Sequence, residues 1–153
     1  MCWYVYIATE ARLSDAYLAL GIRSSEREPP SSLSFTEIIG EVYEENCYRP
    51  LFKGQHLYCV GSDTGCGCGL ERHYSTSYTP EGVIYDYYSD ESPLAFIAFI
   101  KKMSQKIPLE MYVVWESDRR LEPVERVEID ARSLTIDTYF KLVSRQFYTF
   151  RYG

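Results

Sequence analysis

The sequence lacks any cluster of basic residues. Its 16 Lys and Arg residues are outnumbered by 22 Asp and Glu residues, which gives a net charge of −6. Because phosphate binding needs clustered Lys and Arg, this balance argues against nucleic acid or an anionic membrane surface as the main partner. No stretch approaches the roughly 18 consecutive apolar residues of a membrane span.

The N-terminal segment MCWYVYIATEAR also lacks the marks of a signal peptide, because it has no basic n-region and no A-x-A-like cleavage site. With neither an export signal nor a span, we expect a cytoplasmic protein that contacts no membrane.

The signatures of several common chemistries are missing as well. The chain has no C-x-x-C, G-x-S-x-G, Walker A, H-E-x-x-H or dinucleotide-binding motif, and it has only two histidines. Its five cysteines are odd in number and irregularly spaced, unlike the disulfide framework of a small secreted domain. The remaining interpretations are reduced structural thiols, a metal site and a reactive thiol.

What the chain does contain is enough apolar sequence for one core. Its 153 residues are 46% hydrophobic and 25% charged, as in an ordinary globular domain spanning residues 1–153. A chain of this length buries roughly 68–70% of its extended surface on folding, so neither a metal nor a disulfide is needed for stability alone. The cysteines therefore call for another explanation.

Alternating and β-branched segments predict a sheet. Strands are expected at residues 2–8, 33–39, 56–62, 82–89, 109–117, 124–131 and 145–152. The short loop between residues 117 and 124 favours antiparallel pairing of the strands that it joins.

The clearest helix is expected at residues 93–106, with Ser92 as N-cap and Pro93 at the first position. Short helices are expected within 13–21, 41–52 and 135–143. One main helix is too little for a doubly wound sheet. The fold class predicted is therefore α+β: a single domain with a mostly antiparallel sheet of six or seven strands, one main helix and short helices.

The segment GSDTGCGCG, residues 61–69, does not look like ordinary packing. Cys66 and Cys68 are separated by one glycine, and Gly65, Gly67 and Gly69 let the backbone adopt positive φ or approach another group closely. Backbone N–H groups in such a loop can converge on an anion, either a ligand or a thiolate. We therefore expect these residues to form a functional site.

Redox chemistry is one use of this loop. The Cα atoms of residues i and i+2 lie roughly 6.6–7.2 Å apart in an extended chain, at the upper limit for a disulfide. A turn at Gly67 would shorten that distance and close a small strained ring, which is the readily reduced kind of disulfide. The alternatives are a purely structural turn with buried cysteines and a metal site.

A zinc site would need about four ligands. Cys66 and Cys68 would supply two, and the candidates to complete the set are Cys2, Cys59, His56 and His73. No cofactor is implied by the sequence beyond this option of zinc.

Three further residues belong to the candidate site. His56 and His73 flank the cysteine loop, and either could pair with a thiol. Asp63 could cap the turn through its carboxylate, as Asx residues do.

Cys2 is the second unusual cysteine. Removal of Met1 would leave an α-amino group, with a reference pKa of about 7.7–8.0, next to the Cys2 thiol as a general base. Met-Cys followed by a strand resembles the start of N-terminal-nucleophile amidotransferases, although the resemblance covers only a few residues. It implies that Cys2 is a nucleophile, and the alternative is that Cys2 merely begins a buried strand.

Tyrosine supplies 15 of the 24 aromatic residues. Several tyrosines alternate along predicted strands, where they either fill a sheet or present a binding surface. A non-catalytic protein-interaction domain with a Tyr-rich sheet face is therefore the alternative to a thiol site, and the partner is a small molecule or a protein.

The pattern H-x-Y-x-x-G-S-x-x-G-C-G-C-G, from His56 to Gly69, together with the initial Met-Cys, resembles a group of small bacterial proteins with no assigned function. The likeness is specific over about fourteen residues. It implies a bacterial cytosolic domain and no known activity. Leu70 stands where that pattern leads us to expect an aromatic residue, and Asp63 where we expect His, which weakens a metal-site interpretation.

Overall fold

Eight strands and one α-helix form the framework of the part of the chain that the computed structural model describes. The described residues are 2–13, 33–39, 44–62, 67–71, 73–82, 84–137 and 142–153, with the backbone alone for 44–46, 73–78 and 84–89. The strands are β1 (Trp3–Thr9), β2 (Leu33–Glu37), β3 (His56–Ser62), β4 (His73–Tyr78), β5 (Ile84–Ser89), β6 (Leu109–Trp115), β7 (Glu125–Asp130) and β8 (Gln146–Arg151). The α-helix is α1 (Glu91–Met103), and four 3-10 helices span Glu44–Leu51, Gly67–Leu70, Glu116–Asp118 and Ala131–Ser133.

Six of the strands form one sheet in the order β2-β3-β1-β6-β8-β7, while β4 and β5 pair with each other. Every pair in the larger sheet is antiparallel except β7 with β8, which is parallel. The predicted α+β class, with a mostly antiparallel sheet and one main helix, is confirmed.

Both faces of the larger sheet are buried. On one face, apolar side chains of β1, β3 and β6 pack against α1, whose buried residues include Phe96 and Ile100. On the other face, Tyr6, Tyr112 and Phe147 pack against Tyr48 of the 3-10 helix Glu44–Leu51. The alternation predicted for β1, with Val5 and Ile7 opposite Tyr6, follows from the period of two along a strand.

The main helix is displaced from its predicted position. It runs over Glu91–Met103 rather than 93–106, and its N-cap is Asp90 rather than the predicted Ser92. Pro93 is tolerated because the N–H groups of a first helical turn have no intrahelical acceptor. None of the described helices is long and apolar enough to cross a membrane.

The predicted pairing of strands 109–117 and 124–131 is wrong. β8 lies between β6 and β7, pairing with β6 through Tyr112↔Phe147 and with β7 through Val127↔Tyr148. Burial explains the order, because Phe147 and Tyr148 are almost fully buried whereas β7 alternates exposed and half-buried residues. The more apolar strand occupies the interior position and the charged strand the edge.

The other predicted helices have mixed outcomes. The helix predicted within 41–52 is the 3-10 helix Glu44–Leu51. The helix predicted within 13–21 falls outside the described residues apart from Leu13, and the described ends of 135–143 are not helical. Strand β4 was not predicted, because its small polar residues between tyrosines resemble a loop.

Candidate functional site

Cys2 and Trp3 lie where the chain enters β1, and their backbone groups face opposite directions. The Trp3 N–H donates a hydrogen bond to Cys68 Sγ at 3.4 Å. The Cys2 N–H donates to Glu116 Oε2 at 3.1 Å, and the Cys2 carbonyl accepts from the Glu116 N–H at 3.1 Å. Successive residues of a strand turn their N–H and C=O groups to opposite sides. One end of β1 therefore holds Cys68 on one side and Glu116 on the other.

The chain geometry explains why Cys68 meets Trp3. β3 pairs with β1 through Val5↔Val60 and ends at Ser62. The 3-10 helix Gly67–Leu70 then brings Cys68 to the side of β1 that β3 has left. The sulfur occupies the place where a further ladder acceptor would otherwise stand.

Two glycines make this approach sterically feasible. A Cβ at Gly67 would lie 2.5 Å from the Trp3 carbonyl oxygen, and one at Gly69 would overlap the Ser62 side chain. Among the described glycines, positive φ occurs only at Gly82 and Gly153. Of the two uses that the sequence suggested for these glycines, close approach is thus the one found at Gly67 and Gly69.

The 3-10 helix is anchored by the two residues at its C-terminal end. Leu70 is fully buried in the core beneath α1. Glu71, the next residue, accepts the Leu142 N–H on Oε1 at 2.9 Å. The backbone that follows Cys68 is therefore fixed within two to three residues of the sulfur-bearing position.

Cys2 and Cys68 come close together, although they are far apart in sequence. Since Cys68 Sγ lies 3.4 Å from the Trp3 nitrogen, covalent geometry puts it within about 6 Å of the Cys2 Cα. Both cysteines are half-buried, and neither forms a disulfide within the described part of the chain. The site therefore combines two thiols near the surface.

Aromatic and acidic side chains surround this pair. Trp3 and Trp115 are cross-strand partners whose rings meet edge to face at 4.6 Å between centroids. Ser144 accepts the Trp115 N–H at 2.8 Å and donates to Asp118 Oδ2 at 2.7 Å, which fixes the end of β6. Cys2 thus lies beside the Trp3–Trp115 pair and the Glu116 carboxylate.

The structure does not bring His56 to this site. His56 begins β3, pairs with Thr9 and has its Nδ1 3.8 Å from Glu37 Oε1. Six strand steps of about 3.3 Å separate it from Ser62, so it lies about 20 Å from the cysteines. Closeness in sequence predicted that His56 would lie near Cys68, whereas the extended strand β3 carries the two residues apart.

Other candidates can be placed only in part. Asp63, Gly65 and Cys66 fall outside the described residues. His73 begins β4 opposite Ser89, and only its backbone is described. Within the described ranges, no group of three or more His, Cys, Asp or Glu side chains is arranged to hold a metal ion.

Sequence reasoning missed Glu116, Trp3 and Trp115 as parts of the site. Their only local signal is the sequence Trp-Glu at the end of a predicted strand. Their proximity to Cys68 depends on the β1–β6 register, in which Trp3 pairs with Trp115, and no pattern in the chain specifies that register.

The tyrosines of the larger sheet are mostly core residues. Tyr6, Tyr58, Tyr112 and Tyr148 are among the largest fully buried side chains. They fill the sheet, as one of the two interpretations of the composition expected. A Tyr-rich binding face would have to lie on the β4–β5 hairpin, whose side chains are outside the description.

Comparisons with protein-family models, with curated proteins and with solved structures found no match to this chain.

Proposed function

We propose that the chain is a cytoplasmic thiol–disulfide exchange protein with Cys68 as its attacking sulfur. The observation that carries the proposal is the hydrogen bond from the Trp3 N–H to Cys68 Sγ at 3.4 Å, beside Cys2. A backbone donor fixes the direction of the sulfur, and the adjacent residues Gly67 and Gly69 have no side chains that could cover it. A second cysteine is within reach, which exchange chemistry requires.

The reaction proceeds in two balanced steps. The Cys68 thiolate attacks the disulfide of a small molecule or of a protein, forms a mixed disulfide and releases one thiolate. A second cysteine thiolate then attacks the Cys68 sulfur and releases the other half of the substrate as a thiolate. Two electrons pass to the substrate, and the chain is left with an internal disulfide.

Two cysteines are candidates for the second step. Cys66 is separated from Cys68 by one glycine, and a disulfide between them would be strained and therefore easily reduced. Cys2 is the neighbour established by the β1 geometry. The resemblance from His56 to Gly69 extends the proposal to the small bacterial proteins with this motif.

Reaction with an aromatic disulfide that releases a coloured thiolate tests the proposal. The native chain should show a fast phase that releases about two thiolates, and the product should be about 2 Da lighter than the reduced chain. Cys68→Ser should abolish the fast phase. Whichever of Cys66→Ser and Cys2→Ser removes the resolving thiol should leave a stable mixed disulfide after release of one thiolate.

Cys47 provides the matched control, since it is exposed and lies in a different 3-10 helix. Cys47→Ser should retain the fast phase. Two results would overturn the proposal. One is a metal ion bound by the native chain and lost on denaturation, which would indicate a metal-binding module. The other is a Cys68 thiol that reacts only after the chain is unfolded. The cysteine loop would then be a structural turn, and the chain would be a protein-interaction domain.

A further inference from the structure

A small cavity lies at the opposite end of the sheet from the cysteines. It has a volume of about 240 Å³ and is lined in part by Ala8 and Glu110, which are cross-strand partners on β1 and β6. Ala8 is six residues beyond Cys2, which corresponds to about 20 Å along a strand. The cavity is therefore separate from the thiol site and does not depend on the function proposed for it.

The cavity contains a buried carboxylate. Glu110 is only 9% exposed, and its Oε2 accepts the N–H groups of Lys53 at 2.7 Å and Gly54 at 3.4 Å. Within the described part of the chain, its second oxygen, Oε1, makes no hydrogen bond. Oε1 is not among the fully buried side-chain oxygens of the described residues that lack a partner, so it is accessible from the cavity, where a cationic group would pair with the carboxylate.

The remaining charges indicate the ligand. Glu10, Lys53 and Arg151 also line the cavity, but Arg151 is already paired with Glu128 at 2.8 Å. Glu10 and Glu110 thus contribute two negative charges and Lys53 one positive charge. A ligand that matches these charges has both an ammonium group and a carboxylate.

The size of the cavity and its apolar lining restrict which ligands can bind. The volume is below the roughly 300–1,000 Å³ of sites for drug-sized ligands, so the occupant has few atoms. Ile107 and Pro108 form an apolar part of the lining, and Ile107 is 49% exposed. A ligand with a small apolar side chain would cover the exposed part of Ile107.

We propose that this cavity binds a free α-amino acid with an aliphatic side chain. Its ammonium group contacts Glu110 Oε1, its carboxylate contacts Lys53, and its side chain packs on Ile107 and Pro108.

Amide NMR titrations with three probes test this site on the full chain. The probes are L-leucine, 3-methylbutylamine, which lacks the carboxylate, and 4-methylpentanoate, which lacks the amine. L-leucine should shift the Lys53 and Gly54 amide signals, because both N–H groups donate to Glu110. The amine should bind more weakly and the carboxylic acid should not bind.

Two substitutions separate binding from folding. Glu110→Gln keeps an acceptor for the two N–H groups but removes the charge, and it should weaken L-leucine binding about tenfold or more without changing the thermal midpoint of unfolding. Lys53→Met should weaken L-leucine but not 3-methylbutylamine. Glu122→Gln, at an exposed position outside the cavity, is the matched control and should bind normally.

The proposal fails if L-leucine causes no shift at Lys53 and Gly54 up to about 10 mM, or if Glu110→Gln binds it as tightly as the native chain. It fails equally if 4-methylpentanoate binds as well as L-leucine, since the ammonium would then contribute nothing.

Discussion

At Gly67 the backbone comes so close to the Trp3 carbonyl oxygen that a Cβ would lie 2.5 Å from it. The obstacle is main chain in an interior strand of the sheet, which cannot move aside as a flexible side chain could. The position of Cys68, one residue later, depends on this contact.

Gly67→Ala should therefore destabilise the protein and displace Cys68. Forcing a methyl group into a packed contact costs about 1–3 kcal/mol, measurable by urea unfolding. The fast phase of thiol exchange should slow as well, because the Trp3 N–H would no longer hold the sulfur.

Gly82→Asn is the control for this substitution. Gly82 has φ +80° and no heavy atom near the position of a Cβ, and Asn tolerates positive φ better than most residues. It should change the free energy of unfolding by less than about 0.5 kcal/mol. A Gly67→Ala variant as stable and as reactive as the native chain would contradict the steric account.

At the scale of elements, α1 covers one face of the sheet with a few large side chains. Phe96 is fully buried within the core, whereas Leu94, two residues earlier, is 50% exposed. The two positions belong to the same helix but differ in what they bury.

Phe96→Ala should lower the free energy of unfolding by about 3–5 kcal/mol, because it leaves a cavity against the sheet. Leu94→Ala should change it by less than about 0.5 kcal/mol. Urea unfolding of both variants makes the comparison, and equal effects would show that the helix does not pack as described.

Local patterns predicted these elements better than their arrangement. The alternation of Val5 and Ile7 with Tyr6, and the Ser-Pro pair in the first turn of α1, are local signals and gave the right types of structure. The neighbours of β7 were predicted wrongly because strand order depends on which strand buries more apolar surface. That difference is set by Phe147 and Tyr148, which lie 21 residues beyond their partners in β7.

For the candidate site too, the sequence indicated the residues but not their contacts. The glycines and Cys68 stand out in the sequence, since no ordinary turn needs that composition. The contact of Cys68 with Trp3, and of Cys2 with Glu116, depends on the pairing of β1 with its neighbours. His56 shows the opposite error, because closeness in sequence along a strand becomes distance in space.

At the scale of the whole molecule, stability should fall on the alkaline side. Burial raises the pKa of Tyr112 and of Tyr148 from 10 to about 12. Between these values the unfolded chain loses phenolic protons that the folded chain retains, so the stabilisation is complete below pH 10 and is lost as pH rises toward 12.

Urea unfolding at about pH 8, 10 and 11 measures this loss. Tyr112→Phe should reduce the pH dependence while costing stability near neutrality, because the Tyr112 hydroxyl donates to the Leu121 carbonyl at 2.7 Å. Tyr152→Phe, at an exposed position, should leave the pH dependence unchanged. A free energy of unfolding that stays level up to pH 11 would refute the assignment.

The position of β8 inside the sheet has a consequence for biosynthesis. Among the described strands, β7 pairs only with β8, and β6 has β8 as one of its two neighbours. During translation β7 emerges before β8, so it stays unpaired while residues 131–145 are synthesised. Its charged side chains at Glu125, Arg126 and Glu128 then discourage pairing with a neighbouring nascent chain during that interval.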